Sequence, residues 1–194
     1  MTLWRIMVRR IENARERFGR AAMELFRTQG YSQTTIPQIA TAAGLTERTF
    51  FRYFVDKPEV LFWRAGELEA DIVAAIDKAE GDRPLDLATA ALAVAGRFFD
   101  ENRADVLVRQ AVIAAHVDFQ ERELAKMHAL TLAIHAVLVA RGISQAAARI
   151  AAETSIVIWR VAIDRWSRDC STQDFAGHVH ACQAELYAVV LGES

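Results

Sequence analysis

The nine residues Thr46-Glu-Arg-Thr-Phe-Phe-Arg-Tyr-Phe54 carry the most specific chemistry in the chain. At helical spacing Leu45, Phe50 and Phe54 fall together and pack inward, while Arg48, Thr49 and Arg52 project outward. Arg48 can donate two hydrogen bonds to guanine O6 and N7, and Thr49 can meet a thymine methyl or bond locally. Thr35 and Thr46 stand at helix starts, where free N–H groups and the positive end of the macrodipole favour a phosphate. Tyr53 and Lys57 can hold phosphates too, fixing register without reading bases. Plainer uses stand beside these. Threonines cap helices in proteins that never meet DNA, phenylalanines fill cores, and arginines are often simply solvated.

Such side chains need rigid carriers. Ile11, Ala14, Phe18, Ala21, Ala22, Leu25 and Phe26 follow the three-and-four spacing of a helix with one buried face, stopped by Gly30. Thr35-Ile-Pro-Gln38 has the layout of a capping box and predicts a short helix from Pro37 to Ala43. Gly44 ends it, Leu45 plugs the turn, and Thr46 caps a second short helix running to about Tyr53. Two short helices joined at a glycine make a helix-turn-helix, whose second helix enters the major groove. Asp56-Lys-Pro-Glu59 predicts a long fourth helix with Val60, Leu61, Trp63, Leu68, Ile72 and Ile76 near one stripe, ending near Gly81. Five more helices are expected: Leu85 to Asp100, Ala104 to Val117, Phe119 to Arg141, Ser144 to Arg168 and Thr172 to Leu191. The expected fold is all-α, with a DNA-binding domain at 1–62 and a larger helical domain at 63–194.

Of 194 residues, 53% are apolar and 25% charged, with only 3 Pro and 9 Gly, which excludes disorder and fibrous repeats. The net charge of -2 hides an asymmetry. Residues 1–64 hold eleven Lys and Arg against six acids, and the remainder is correspondingly acidic. A cationic end suits a polyanion, although chance clustering of solvated charges produces the same asymmetry. Cys170 and Cys182 staple nothing that an ample core requires, so a reduced, cytoplasmic protein is expected. No stretch of about 18 apolar residues runs free of charge, so neither a membrane span nor a signal peptide is expected.

Residues 18–61 resemble the N-terminal DNA-binding domain of the TetR family of transcriptional regulators. The matching pieces are Phe26 to Gly30 with Tyr31, Thr34-Thr35-Ile36, Ile39-Ala40, Ala43-Gly44-Leu45-Thr46, Thr49-Phe50, Tyr53-Phe54, Lys57 and Val60-Leu61, in order and at the family's spacing. The resemblance implies a three-helix DNA-binding unit, an all-helical ligand-sensing domain, and a homodimeric repressor engaging a palindromic operator in double-stranded DNA. Two departures stand out. Phe51 replaces the usual tyrosine of the reading helix, and Arg48 replaces a residue that is frequently small. Arg5, Arg9 and Arg10 precede the usual start and either form an arm reaching DNA or fray.

Residues 85–194 contain no phosphate loop, nucleophile elbow or metalloprotease signature, so neither enzymatic activity, a cofactor nor a metal is expected. A small hydrophobic or amphipathic effector is expected, with Phe62, Trp63, Phe98, Val112, His116, Met127, Leu130 and Trp159 as candidate contacts. Aromatic core filling is the more common explanation for any one of these. Ala88 to Ala95 either leaves space for a ligand or lets helices approach closely. The last two helices carry apolar residues on more than one face, as a four-helix dimer interface requires. The rival reading is a helical protein-interaction scaffold or ligand-binding module with an incidental helix-turn-helix.

Overall fold

Abundant helix formers and few breakers yield α1 (Thr2–Gln29), α2 (Ile36–Ala42), α3 (Glu47–Tyr53), a 3-10 helix (Pro58–Phe62) and α4 (Ala65–Lys78). They continue with α5 (Pro84–Glu101), α6 (Arg103–Ala114), α7 (Val117–Ala140), α8 (Gln145–Arg168) and α9 (Phe175–Leu191). The computed structural model describes the backbone of residues 2–169 and 173–192, and side chains from Ala14 onward within them except Ala95. Among the described residues there is no strand. Arg5, Arg9 and Arg10, the proposed arm, lie outside the described side chains, as do Cys170 and Thr172.

Two compact units form, one from Met1–Gly66 with Ala104–Gln120, the other from Glu67–Arg103 with Glu121–Ser194. In the first, Ala14, Phe18, Ala22 and Phe26 make the buried stripe of α1 at four-residue spacing, with Met23 beside it. Phe18 meets Phe50 and Phe54 edge-on, with ring centroids 5.3 and 6.2 Å apart. Fully burying each such ring stabilises by roughly 1.5–3 kcal/mol. Gly19 lets α1 approach the indole of Trp63 so closely that no Cβ fits.

The long fourth helix expected from Asp56 to Gly81 is broken. Asp56 accepts from the Glu59 amide at 2.9 Å and Pro58 opens a 3-10 helix, after which α4 starts afresh at Ala65. The cause lies in distant arginines. Leu61 and Trp63 give their carbonyls to Arg109 Nε at 2.8 Å and Arg15 Nε at 2.7 Å, groups that a continuous helix would turn towards residues 65 and 67.

In the second unit α5, α8 and α9 pack on one another. The alanine-rich stretch of α5 serves close approach: Ala88 and Ala91 are buried, and a Cβ on Gly96 would lie 3.2 Å from the Phe175 ring. Phe99, Trp159, Trp166 and Phe175 cluster, with the Phe99–Phe175 and Phe99–Trp159 centroids 4.9 and 5.3 Å apart. Asp100 accepts from Trp166 Nε1 at 2.9 Å and the Phe175 amide at 3.1 Å, tying three helices at one end. Asp86 accepts from Gln183 and Tyr187, whose partner network includes Thr89, along the α5–α9 contact. α9 begins at Phe175, capped by Asp174, three residues beyond the start expected at Thr172. α7 is long and apolar enough to cross a membrane by length and composition, with a mean hydropathy of 1.4 over its most apolar window. Its polar end carries Asp118, Glu121, Arg122, Glu123 and Lys126, and Leu130, Ile134 and Leu138 are buried.

Candidate nucleic-acid interface

The two short helices form where the sequence places them. Thr35 and Gln38 close the capping box: the Thr35 amide donates to Gln38 Oε1 at 2.8 Å, and Thr35 Oγ1 accepts from the Gln38 amide at 3.4 Å. Gly44 takes φ +64°, the left-handed conformation that lets the chain reverse, and the Leu45 amide returns to the Ala40 carbonyl at 2.9 Å. Thr46 accepts from the Thr49 amide at 3.2 Å, and the two hydroxyls lie 2.9 Å apart. Both threonine hydroxyls thus act as caps, and Thr49 orients its own hydroxyl towards the helix start.

α3 is amphipathic as expected. Phe50 and Phe54 are 0% and 1% exposed and hold its inner side, while Arg48 and Arg52 stand in solvent and Thr49 is half-buried. Arg48, Thr49, Phe51 and Arg52 line one open depression. Arg52 donates to the Tyr53 hydroxyl at 3.2 Å with its guanidinium 5.1 Å from the Tyr53 ring centre, so these two candidates act as a pair.

Several cations counted towards the basic end are committed elsewhere. Arg20 pairs with Glu16 at 2.7 Å and Arg27 with Glu24 at 2.6 Å. Arg15 grips the Trp63 carbonyl with its guanidinium 5.0 Å from the Phe54 ring centre. Arg17 donates to the Ala43 carbonyl and, at 3.3 Å, to that of Gly44, clamping the turn between α2 and α3 from α1. Lys57 donates to the carbonyls of Tyr31 and Thr34 at 2.9 and 2.8 Å and lies 4.0 Å from the Tyr31 ring centre. Burial pushes its ammonium pKa down. The Lys57 ammonium thus has a structural role on the main chain, besides the phosphate contact expected of it. Helical periodicity carries no signal for either clamp, because both partners are main-chain carbonyls more than twenty residues away.

The effector candidates divide between the units. Phe62 and Trp63 are buried in the first, where the Arg109 guanidinium sits 5.1 Å from the Phe62 ring centre and Val112 is half-buried. His116 there meets Tyr31 and Phe119 at a tilt, with centroids 5.6 and 4.7 Å away. In the second unit Trp159 and Leu130 are buried, and Phe98 and Met127 half-buried. No metal-binding cluster of His, Cys, Asp and Glu occurs among the described residues.

Residues 20–62 match the bacterial regulatory proteins of the tetR family. The transcriptional regulator TcmR of Streptomyces glaucescens is 38% identical over 94 residues, 47% of this chain. The N-terminal part of the chain is thus similar to the DNA-binding domain of the TetR family. That match spans only 42% of TcmR's length. Among solved structures, the TetR-family repressor FadR of Thermus thermophilus, in complex with lauroyl-CoA, is 25% identical with a TM-score of 0.60, covering 89% of this chain and 93% of its own. NalD of Pseudomonas aeruginosa, the secondary repressor of a multidrug efflux pump, shares the fold at 19% identity and a TM-score of 0.58, over 91% of this chain and 95% of its own. The TetR-family fold is an N-terminal helix-turn-helix domain followed by an all-helical domain, in agreement with the sequence reading.

Proposed function

We propose that this chain is a TetR-family DNA-binding transcriptional repressor, acting in the cytoplasm as a homodimer on a palindromic operator and responding to a small hydrophobic or amphipathic effector. The observation that carries the reading is the presentation of α3: buried phenylalanines hold one side while Arg48 and Arg52 stand in solvent on the other. Arg48 and Thr49 face base edges, and Arg52 with Tyr53, the helix starts at Thr35 and Thr46, and Lys57 face phosphates. The role includes no enzymatic step.

Apolar residues on α8 (Ile150, Val157, Val161) and α9 (Val189, Val190, Leu191) are exposed, and a second copy of the chain is their proposed partner. Dimerisation would set two reading helices about 34–36 Å apart, or a multiple of that, to meet successive major grooves. An effector shifts this arrangement only through its difference in affinity for the DNA-competent and incompetent states. The acyl chain in the FadR complex supports an apolar effector class, with Phe62, Trp63, Val112 and His116 in one unit and Phe98, Met127, Leu130 and Trp159 in the other as proposed contacts.

Selection from a random duplex pool with the full-length protein tests this reading. The expected winner is two-fold symmetric, with affinity falling steeply as salt rises. Arg48→Ala should relax preference at one base per half-site, at a cost of about 1–3 kcal/mol. Enrichment of no duplex, or a flat salt dependence, rejects it.

A further inference from the structure

Phe51 is the phenylalanine of α3 that faces water. It is 54% exposed, while its neighbours Phe50 and Phe54 are buried. Its position is nevertheless fixed, because it stands edge-on to Phe50 with centroids 5.7 Å apart and an interplanar angle of 86°. Nothing in the core requires a large apolar side chain at this exposed place, and leaving one in water forfeits its burial energy.

Its surroundings define what can cover it. Phe51 shares its open depression with Arg48, Thr49 and Arg52, so an apolar ring lies between two cations. A polyanion with an apolar point on its surface matches that pattern. Duplex DNA offers such a point in the major groove, the C5-methyl group of thymine. A phenyl ring has no donor or acceptor for a phosphate or for the polar base edges, so the methyl is the groove feature it can bury.

Resting on the DNA reading above, we propose that Phe51 reads a thymine methyl in the major groove, within two base steps of a guanine held by Arg48. The two residues are three positions apart on one helix, a rise of about 4.5 Å, against about 3.4 Å between successive bases on a strand. Phe51 thus sets base preference, and its lack of a hydroxyl, which costs a phosphate contact, is what frees it for this use.

The test replaces each thymine of a pool-selected duplex in turn with deoxyuridine, which lacks only the methyl, and measures Kd for the wild type and for Phe51→Ala. One thymine per half-site should be worth about fourfold in affinity to the wild type, the effect of burying one carbon, and nothing to Phe51→Ala. Phe51→Tyr, which keeps the ring and moves its polar edge towards the backbone, should show reduced methyl dependence while folding normally. Uracil substitutions that are silent in the wild type, or that cost Phe51→Ala the same as the wild type, overturn the proposal while leaving the DNA reading standing. Enrichment of no duplex at all overturns both.

Discussion

Gly19 lies against the face of the Trp63 indole, and no side chain fits between them. Trp63 cannot yield easily, because Arg15 Nε holds its carbonyl at 2.7 Å. Gly19→Ala is therefore expected to destabilise by about 1–3 kcal/mol through overpacking, lowering Tm by roughly 2–4 °C for each kcal/mol in a chain of this size. Helix propensity alone predicts the opposite sign, since alanine is better than glycine inside a helix by about 1 kcal/mol. Thermal denaturation decides between the two, and a shifted tryptophan emission would mark displacement of the indole.

Lys57 bonds the carbonyls of Tyr31 and Thr34, the first of which also accepts from the Thr34 amide at 3.2 Å. Lys57→Met should cost about 1–3 kcal/mol in denaturant titration. Burial holds the folded ammonium pKa below its ordinary 10.5, so the unfolded chain binds that proton more strongly. The stability of the wild type relative to the variant is thus smallest near neutral pH and grows as pH rises through the folded pKa towards 10.5. A difference that shrinks over that range would contradict the desolvated, carbonyl-bound amine.

Val157 is exposed in the middle of α8, in line with Ile150 and Val161. Val157→Glu puts a carboxylate on each side of the proposed two-fold interface without disturbing the core. Sedimentation velocity should show a dimeric wild type and a dissociated variant at the same concentration, with unchanged helical circular dichroism. Affinity for a full palindrome should fall more than that for a half-site. A variant that sediments like the wild type would mean that this face is not the interface.

The helix-turn-helix was legible in the sequence because its determinants are local. Thr35 with Gln38, Gly44 and Thr46 with Thr49 each act within a few residues, and the structure places all of them as expected. The continuous fourth helix was misread for the opposite reason: its interruption depends on Arg15 and Arg109, each 48 residues from the carbonyl it takes. The charge census named the cationic end but not its division of labour. Formal charge does not distinguish a guanidinium facing solvent, as in Arg48, from one turned onto the main chain, as in Arg17. Phe51 was legible as a departure from the family pattern, whereas its exposure beside a fixed Phe50 required coordinates.

Arg17 grips the turn before α3 through main-chain oxygen atoms, which every amino acid supplies. The hold of this clamp on the turn that leads into α3 therefore does not depend on the identity of the helix's outward side chains. Exchanging the side chains at positions 48, 49, 51 and 52 is therefore expected to leave the frame that aims them as it is.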